Sequence, residues 1–494
     1  MTDSTPTPAT PNLGRTIARN TAFVTLGRIL LKVFGFLFGV FVVRQLGDDQ
    51  YGRYSIVVAW VGLFSIFVEL GITQYVTREM ARSGGRVGTM FWNLFAVRLA
   101  LAGVGLFLIP AGAALAGYDG DITLGVALYA TTFIVAAIQA PLDAVLVARE
   151  AFGWLTAAAI VGQIAWLALG AGVMWLRPNF LWLIGVGLFA MLPQLALSGW
   201  IVARHRLIDW TIRIEPAAWP QLIRAGLPFG VISLALTIAF SIDTVMLSWF
   251  VSNAEVGWYN VAYGLVRSFV SLLSGFSVAM VPTLARVFAT DGAVVTRWHI
   301  RSVRMIALIA VPVAIGGMLV AGPLVRFLYT PDVYPAAGAL AIIVWDVPLL
   351  MYAAFCGNVT TIIGEERAAA RINVINALAN VALNAICIPL YGMLGAALVT
   401  VATDVIASIQ FTLLLNRRLN VPALGGTLVR VGLASAGLGV AVWLAGDLHV
   451  LALIAIGAGV YGVLAIALGA VGPDEWALAR RLAGALQRRL IRRS

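Results

Sequence analysis

The stretch LGDDQYGRY at residues 46–54 separates two long apolar runs near the start of the chain. The stretch VSNAEVGWY at residues 251–259 does the same 205 positions later. Each stretch has Gly-x-Tyr after a polar turn, with an apolar run before and after it. Self-similarity at a fixed offset indicates an internal repeat, so we predict two similar halves.

The composition requires a lipid environment for most of the chain. Of its 494 residues, 61% are hydrophobic and only 11% are charged, and the mean hydropathy is +0.95. Soluble domains have roughly 45–50% apolar and about 25% charged residues. The sequence therefore predicts an integral membrane protein. Cytosolic enzymes and nucleic-acid-binding proteins are excluded, although the net charge is +11.

The residues that bind metals and nucleotides are sparse. The two cysteines, Cys356 and Cys387, lie in apolar runs and cannot form a disulfide framework or a cysteine-based zinc site. The three histidines have no ligand spacing. Lys32 is the only lysine and lies outside any Gly-Lys-Ser/Thr motif, so the chain has no P-loop. We predict no cofactor and no metal site.

Apolar windows of about 20 residues predict membrane-spanning helices. Fourteen windows qualify, at roughly 20–43, 54–77, 90–116, 122–147, 152–176, 180–203, 222–250, 257–285, 302–325, 336–363, 368–389, 393–416, 424–446 and 449–471. The predicted fold is an all-α polytopic membrane protein with two six-helix lobes related by a pseudo-two-fold axis, plus two C-terminal helices.

The basic residues orient these spans. With the N-terminus inside, the inner loops and tails hold 24 of the 33 basic residues and the outer loops hold four. Cytoplasmic loops carry excess Lys and Arg. We therefore predict a multi-pass protein of the cell membrane with both termini in the cytoplasm.

The span order also predicts the domain organisation. A disordered cytoplasmic tail, 1–16, precedes an N-lobe of spans 1–6 at 17–210 and a C-lobe of spans 7–12 at 211–418. Spans 13–14 follow at 419–472, and a basic amphipathic cytoplasmic tail ends the chain at 473–494. Spans 1 and 7 both begin inside, so the repeat is parallel, as in transporters that rock two lobes around a central site. Because one chain holds both lobes, we predict a monomer.

Ionisable residues inside spans are functional candidates. Arg28 and Lys32 share one face of span 1, and Arg267 lies near the middle of span 8. If the lobes meet at a central cavity, these cations converge there and bind an anionic group such as pyrophosphate. The alternative is that they form structural ion pairs with acids inside spans. The acidic candidates for ion coupling or structural ion pairs are Asp243, Glu69 and Asp346.

An asparagine stripe follows one side of span 11. Its candidate site residues are Asn376, Asn380 and Asn384. Asparagine in a membrane needs hydrogen-bond partners, so we expect the stripe to face protein or a polar cavity. Hydrogen bonding between helices and contact with a sugar are both open.

Three paired stretches carry a family resemblance. They are VRQLG at 43–47 with YGRY at 51–54, IDTVML at 242–247 with EVGWYNVA at 255–262, and NVALN at 380–384 with IPLYGMLGAA at 388–397. These stretches resemble the oligosaccharide flippases that export bacterial O-antigen, capsule and exopolysaccharide units, in the multidrug/oligosaccharidyl-lipid/polysaccharide superfamily. The resemblance extends from span 1 to span 12.

The resemblance implies a transporter without enzymatic activity. Its expected cargo is a polyprenyl-pyrophosphate-linked oligosaccharide, moved from the cytoplasmic to the outer leaflet by alternating access for surface polysaccharide biosynthesis. Membrane lipids and other polysaccharide assembly proteins are the implied partners. Arg267 is similar to a basic residue of span 8 in lipid II flippases, whereas Lys32 stands where those relatives have arginine. In such relatives, spans 13 and 14 help to form a groove for the lipid tail.

Two alternatives remain open. A cation-coupled multidrug antiporter shares the superfamily architecture, but such pumps have acidic cavities and usually twelve spans. A membrane enzyme acting on lipid-linked sugars typically has a large external loop or an acidic catalytic cluster. The sequence has neither.

Overall fold

The computed structural model describes residues 13–82, 86–288, 292–419 and 425–472. Within these ranges it leaves undescribed the side chains of 13–30, 232, 235, 236, 239, 272–288 and 292–294. The described residues form α-helices without a strand, so the prediction of an all-α polytopic membrane protein is confirmed. The basic C-terminal tail and the first twelve residues lie outside the described ranges.

The helices are, in chain order, α1 Leu13–Phe64, α2 Ile66–Glu69, α3 Ile72–Arg82, α4 Val87–Leu115, α5 Gly120–Ala130, α6 Thr132–Ala148, α7 Phe152–Leu176, α8 Phe180–Arg204, α9 Trp219–Phe250, α10 Asn253–Phe288, α11 Gly292–Leu328, α12 Ala336–Ile343, α13 Asp346–Ile362, α14 Glu366–Leu419, α15 Gly425–Ala445 and α16 Val450–Ala467. Each predicted span falls on one or more of them. Helix α1 begins four residues inside the predicted tail, because helix can continue past the apolar run that defines a span.

In the described part of the chain, nine helical segments are long and apolar enough to cross a membrane, or ten if the bent pair α12–α13 is one span. Two of the nine each hold two predicted spans. A glycine with positive φ divides them, Gly47 (φ 72°) in α1 and Gly392 (φ 53°) in α14. Only glycine adopts this backbone geometry readily. Predicted spans 7 and 8 lie on α9 and α10, which are not among these nine segments, so the structure is roughly consistent with the fourteen sequence windows.

The repeat signatures meet each other. A Cβ atom at Gly52 would clash with the backbone carbonyl of Asn253, and one at Gly257 would clash with the carbonyl of Asp48. The segment that joins predicted spans 1 and 2 therefore packs backbone to backbone against the segment that joins spans 7 and 8, at the ends predicted to lie outside. Arg44 reinforces this contact by donating to the carbonyl oxygens of Phe327 (2.9 Å) and Leu328 at the end of α11. We call this contact the outer closure.

The connection between α8 and α9 is held against α4. The Asn93 Oδ1 atom accepts hydrogen bonds from the Glu215 backbone N–H (2.8 Å) and the Trp219 Nε1–H (3.2 Å). Its Nδ2 donates to the carbonyl of Arg213 (3.3 Å), and Trp210 packs edge-on against Phe91 with ring centroids 5.9 Å apart. This long connection is therefore fixed to the first half of the chain.

Candidate functional site

Lys32 of α1 contacts α10 one helical turn from Arg267. The Lys32 ammonium donates to the backbone carbonyl of Ser271, four residues after Arg267 on α10. Residues four apart share a helix face, so the Lys32 ammonium and the Arg267 side chain lie along the same face of α10. Both side chains are exposed. We call this region the basic crevice.

Aromatic rings, rather than carboxylates, hold the Arg267 guanidinium. Its Cζ atom lies 4.6 Å from the ring centroid of Phe240 and 5.6 Å from that of Tyr263. Cation–π contacts use the face of the guanidinium and leave its N–H groups free to donate to an anion. Among the described residues, neither Arg267 nor Lys32 forms a salt bridge. Arg28 lies one turn before Lys32 on α1, and its side chain is outside the described residues.

An apolar cavity of about 600 Å³ lies along the same two helices as the basic crevice. Phe36 of α1 lines it one helical turn beyond Lys32, whereas Ser268 and Phe269 line it from the face of α10 that points away from Arg267. Helices α11, α12, α13, α15 and α16 supply the rest, so the two C-terminal helices close one side of the cavity. Its wall is almost entirely hydrocarbon. Exposed cations and an apolar cavity on the same pair of helices match the two ends of an amphiphile with an anionic headgroup.

The Asp243 carboxylate is buried and accepts hydrogen bonds from three neutral donors. Its Oδ2 atom accepts from the hydroxyls of Tyr259 (2.8 Å) and Thr400 (2.9 Å), and its Oδ1 accepts from Asn384 Nδ2 (2.6 Å). No salt bridge to Asp243 occurs among the described residues. These bonds join α9, α10 and both halves of α14 around one carboxylate, and hydrogen bonds to a charged acceptor are among the stronger ones.

The asparagine stripe continues this network inside the protein. Asn384 Nδ2 also donates to Asn380 Oδ1 (3.0 Å), and Asn376 Nδ2 donates to Gln410 Oε1 (3.1 Å) on the second half of α14. All three asparagines are buried, and none lines the apolar cavity. The stripe therefore joins the helices on either side of Gly392.

The other two acidic candidates, Glu69 and Asp346, have different surroundings. Glu69 in α2 forms an ion pair with the buried Arg98 of α4 at 3.7 Å. Asp346 is fully buried at the first position of α13, and the Asp404 carboxyl interacts with it from α14. The structure thus separates Glu69 from the acids of the second half of the chain.

Sequence reasoning did not select several residues of these networks. Tyr259 is part of the repeat signature, yet its hydroxyl role depends on α14, which is distant in sequence. Phe240 and Tyr263 resemble ordinary apolar helix residues, so their contact with Arg267 has no sequence signal. Asp404 had a sequence signal, because it is an acid within an apolar run, whereas Thr400 had none.

Two models of known protein families match parts of this chain. The family model described as "Polysaccharide biosynthesis protein" matches residues 17–288, just over half of the chain. The chain belongs to the polysaccharide biosynthesis protein family. A second model, MatE, matches residues 228–386, which include Asp243 and Arg267.

A curated relative is the "Probable flippase AglR" of Haloferax volcanii, 31% identical over 172 residues. The match covers 34% of this chain and 36% of AglR, so the chain spans about a third of the relative's length.

Solved transporters share the fold of this family member. "Lipid II flippase MurJ, inward closed conformation" aligns with a TM-score of 0.75 at 15% identity, over 90% of this chain and 98% of that one. An inward-facing multidrug resistance MATE family transporter of the MOP superfamily aligns with a TM-score of 0.59 at 15% identity, over 80% and 98%. The resemblance to the superfamily of oligosaccharide flippases is confirmed, and at these identities the structures define the fold alone.

Proposed function

We propose that the protein is a flippase that moves a polyprenyl-pyrophosphate-linked oligosaccharide from the cytoplasmic to the outer leaflet, for surface polysaccharide biosynthesis. The observation that carries this proposal is that α1 and α10 together bear both the exposed cations of the basic crevice and one wall of the apolar cavity. The crevice offers cations for the pyrophosphate, and the cavity offers hydrocarbon for the polyprenyl tail. The likeness to a probable flippase and to a lipid II flippase fold supports the same activity.

The cations, the two lobes and spans 13–14 each have a role in the proposed transport. An unpaired buried charge costs many kcal/mol, so a pyrophosphate headgroup cannot cross lipid alone. Arg267 is the principal pyrophosphate ligand in this proposal, because both ring contacts fix its guanidinium. Lys32 and Arg28 add positive charge from α1. Lobes 17–210 and 211–418 close alternately around the headgroup, while the tail stays beside spans 13–14.

The protein acts as a transporter rather than an enzyme in this proposal, as a monomer in the cell membrane with both termini in the cytoplasm. Its ligands are the lipid-linked glycan and membrane lipids, and other polysaccharide assembly proteins supply and use the glycan. Asp243 and Asp346 are the acids proposed for ion coupling, whereas Glu69 has a structural role with Arg98.

A cation-coupled multidrug antiporter is the second candidate. The acids Asp243, Asp346 and Asp404 in the second half of the chain favour it, together with the MATE-like fold. The basic crevice favours the flippase, because it repels an organic cation.

Translocation in proteoliposomes tests the proposal. A fluorescent polyprenyl-pyrophosphate oligosaccharide is reconstituted with wild type, Arg267→Ala, Lys32→Ala and the control Arg430→Ala, whose side chain donates to the Gly469 carbonyl. We expect wild type and Arg430→Ala to move the headgroup and the first two variants to lose most of this activity. Ala458→Trp, which fills the cavity, should also reduce it. Uptake of an organic cation without glycolipid movement would favour the antiporter.

A further inference from the structure

Asp346 occupies the break in the tenth predicted span. Helix α12 ends at Ile343, α13 begins at Asp346, and the two axes differ by 43°. The Asp346 side chain is fully buried, and among the described residues no N–H or hydroxyl group donates to either carboxyl oxygen. A buried ionised carboxyl needs a partner, so this position requires a physical explanation.

The neighbouring acid, Asp404, explains how a buried carboxyl can persist at this position. Asp404 of α14 interacts directly with Asp346, and its side chain is only partly buried. Two ionised carboxylates in contact repel strongly where water is excluded, and pairs of this kind persist by sharing one proton. The exposed part of Asp404 gives the buried Asp346 a route for that proton.

Few other charges can neutralise the pair. From α10, Tyr263 faces both acids, and Arg267 faces Tyr263. From α9, Asp243 adds a third negative group nearby. Helix α11 also packs against α13 but has no titratable residue between Arg304 and Arg326. Along α14, Asp404 is the only acid from 372 to 416, a stretch whose other titratable groups are a thiol and a phenol.

We infer that Asp346 and Asp404 form a proton-binding site that holds one shared proton in this conformation and is separate from the basic crevice. Asp404 passes the proton to and from Asp346, and no other chemical step is involved. Release of the proton leaves two negative groups at the break between α12 and α13. The conformation with these helices at their present angle therefore binds the proton more tightly than a conformation in which the two carboxyls are apart.

The site has a physical link to the proposed cargo. Tyr263 contacts Arg267 and interacts electrostatically with both acids, so an anion bound at Arg267 changes the local field at the pair. This coupling rests on the proposed flippase activity, whereas the proton site itself does not.

Infrared spectroscopy of the reconstituted full chain tests the site directly. Protonated carboxyls absorb in a C=O stretching band that carboxylates lack. We compare wild type, Asp346→Asn, Asp404→Asn and the control Asp447→Asn, which changes an exposed loop acid. We expect wild type and Asp447→Asn to keep one protonated-carboxyl band at pH values where exposed acids are ionised, and either pair variant to lose it.

A wild-type protein without the band, or a band that persists in both pair variants, would overturn the inference. Thermal unfolding checks that each variant is folded, and a pair variant that does not fold is replaced by Asp346→Glu, for which we expect a shifted band. Glycolipid movement is then measured against pH. If wild type shows the expected band but moves no glycolipid, the proton site stands and the proposed function fails. Retained movement with unchanged pH dependence in both pair variants would refute the coupling.

Discussion

Adding one methyl group at the outer closure should open it. In Gly52→Ala, the new Cβ would collide with the Asn253 carbonyl, and in Gly257→Ala with that of Asp48. These obstacles are backbone atoms and cannot rotate away. Overpacking of this kind costs typically about 1–3 kcal/mol, and only the closed state bears the cost. The equilibrium should therefore shift towards the open state by about 5- to 150-fold.

The chain offers matched controls for both variants. Gly39 lies in α1 and Gly264 in α10, and a Cβ at either meets no atom within 4 Å. Alanine raises helix propensity by up to about 1 kcal/mol over glycine at all four positions. Any difference between Gly52→Ala and Gly39→Ala, or between Gly257→Ala and Gly264→Ala, therefore isolates the clash.

Electron–electron distance measurements detect the shift. Spin labels at the exposed residues Asp121 and Ser252 report the separation of the two halves at their predicted outer ends. We expect a longer distance to gain population in the two closure variants and not in the controls. Identical distance distributions in folded variants and controls would refute the reasoning, because the closed packing would then tolerate a Cβ.

Three further predictions follow from single side chains. Phe240→Leu removes one ring face from Arg267 and should weaken glycolipid binding by about 2- to 5-fold, measured by titration, because an exposed cation–π contact contributes about 0.5–1 kcal/mol. Asn384→Ala removes a donor from the Asp243 carboxylate and should lower the free energy of unfolding by about 1.5–3 kcal/mol, measured in denaturant. Asn93→Ala releases the connection between α8 and α9 and should accelerate its cleavage by trypsin.

Each of these predictions has a control and a contrary result. Phe34→Leu changes an exposed phenylalanine of α1, and equal losses of affinity in both variants would contradict the role of Phe240. Asn376→Ala removes a donor from the neutral Gln410 side chain and should cost less stability than Asn384→Ala. Unchanged trypsin cleavage in Asn93→Ala would mean that other contacts, such as Trp210 against Phe91, hold the connection.

The sequence predicted the helical fold well because lipid imposes a simple pattern. Each span must be an apolar run of about 20 residues, and every one of the fourteen runs corresponds to helix. The Gly-x-Tyr repeat was also visible. Its consequence, the reciprocal packing of Gly52 and Gly257, required knowledge of which helices touch.

The candidate site was predictable only where charge stands out in an apolar run. Lys32, Arg267, Asp243 and Asp346 were visible for that reason. Their partners were not, because rings such as Phe240 carry no spacing signal and hydroxyls such as Thr400 come from distant helices. The sequence also placed Glu69 with the other acids, whereas its contact with Arg98 separates it from them.

The one-residue breaks at Gly47 and Gly392 have a practical consequence for engineering the molecule. Each joins two helical segments without a linker, and the residue after it is bonded to a neighbouring element: the Asp48 N–H donates to Asp332 Oδ2, and the Met393 N–H donates to Glu255 Oε1. An inserted epitope tag or fluorescent domain at either position would push apart four helices at once. The exposed start of the connection between α8 and α9, at His205 and Arg206, precedes the part that Asn93 holds and is the place where an insertion should leave the transporter intact.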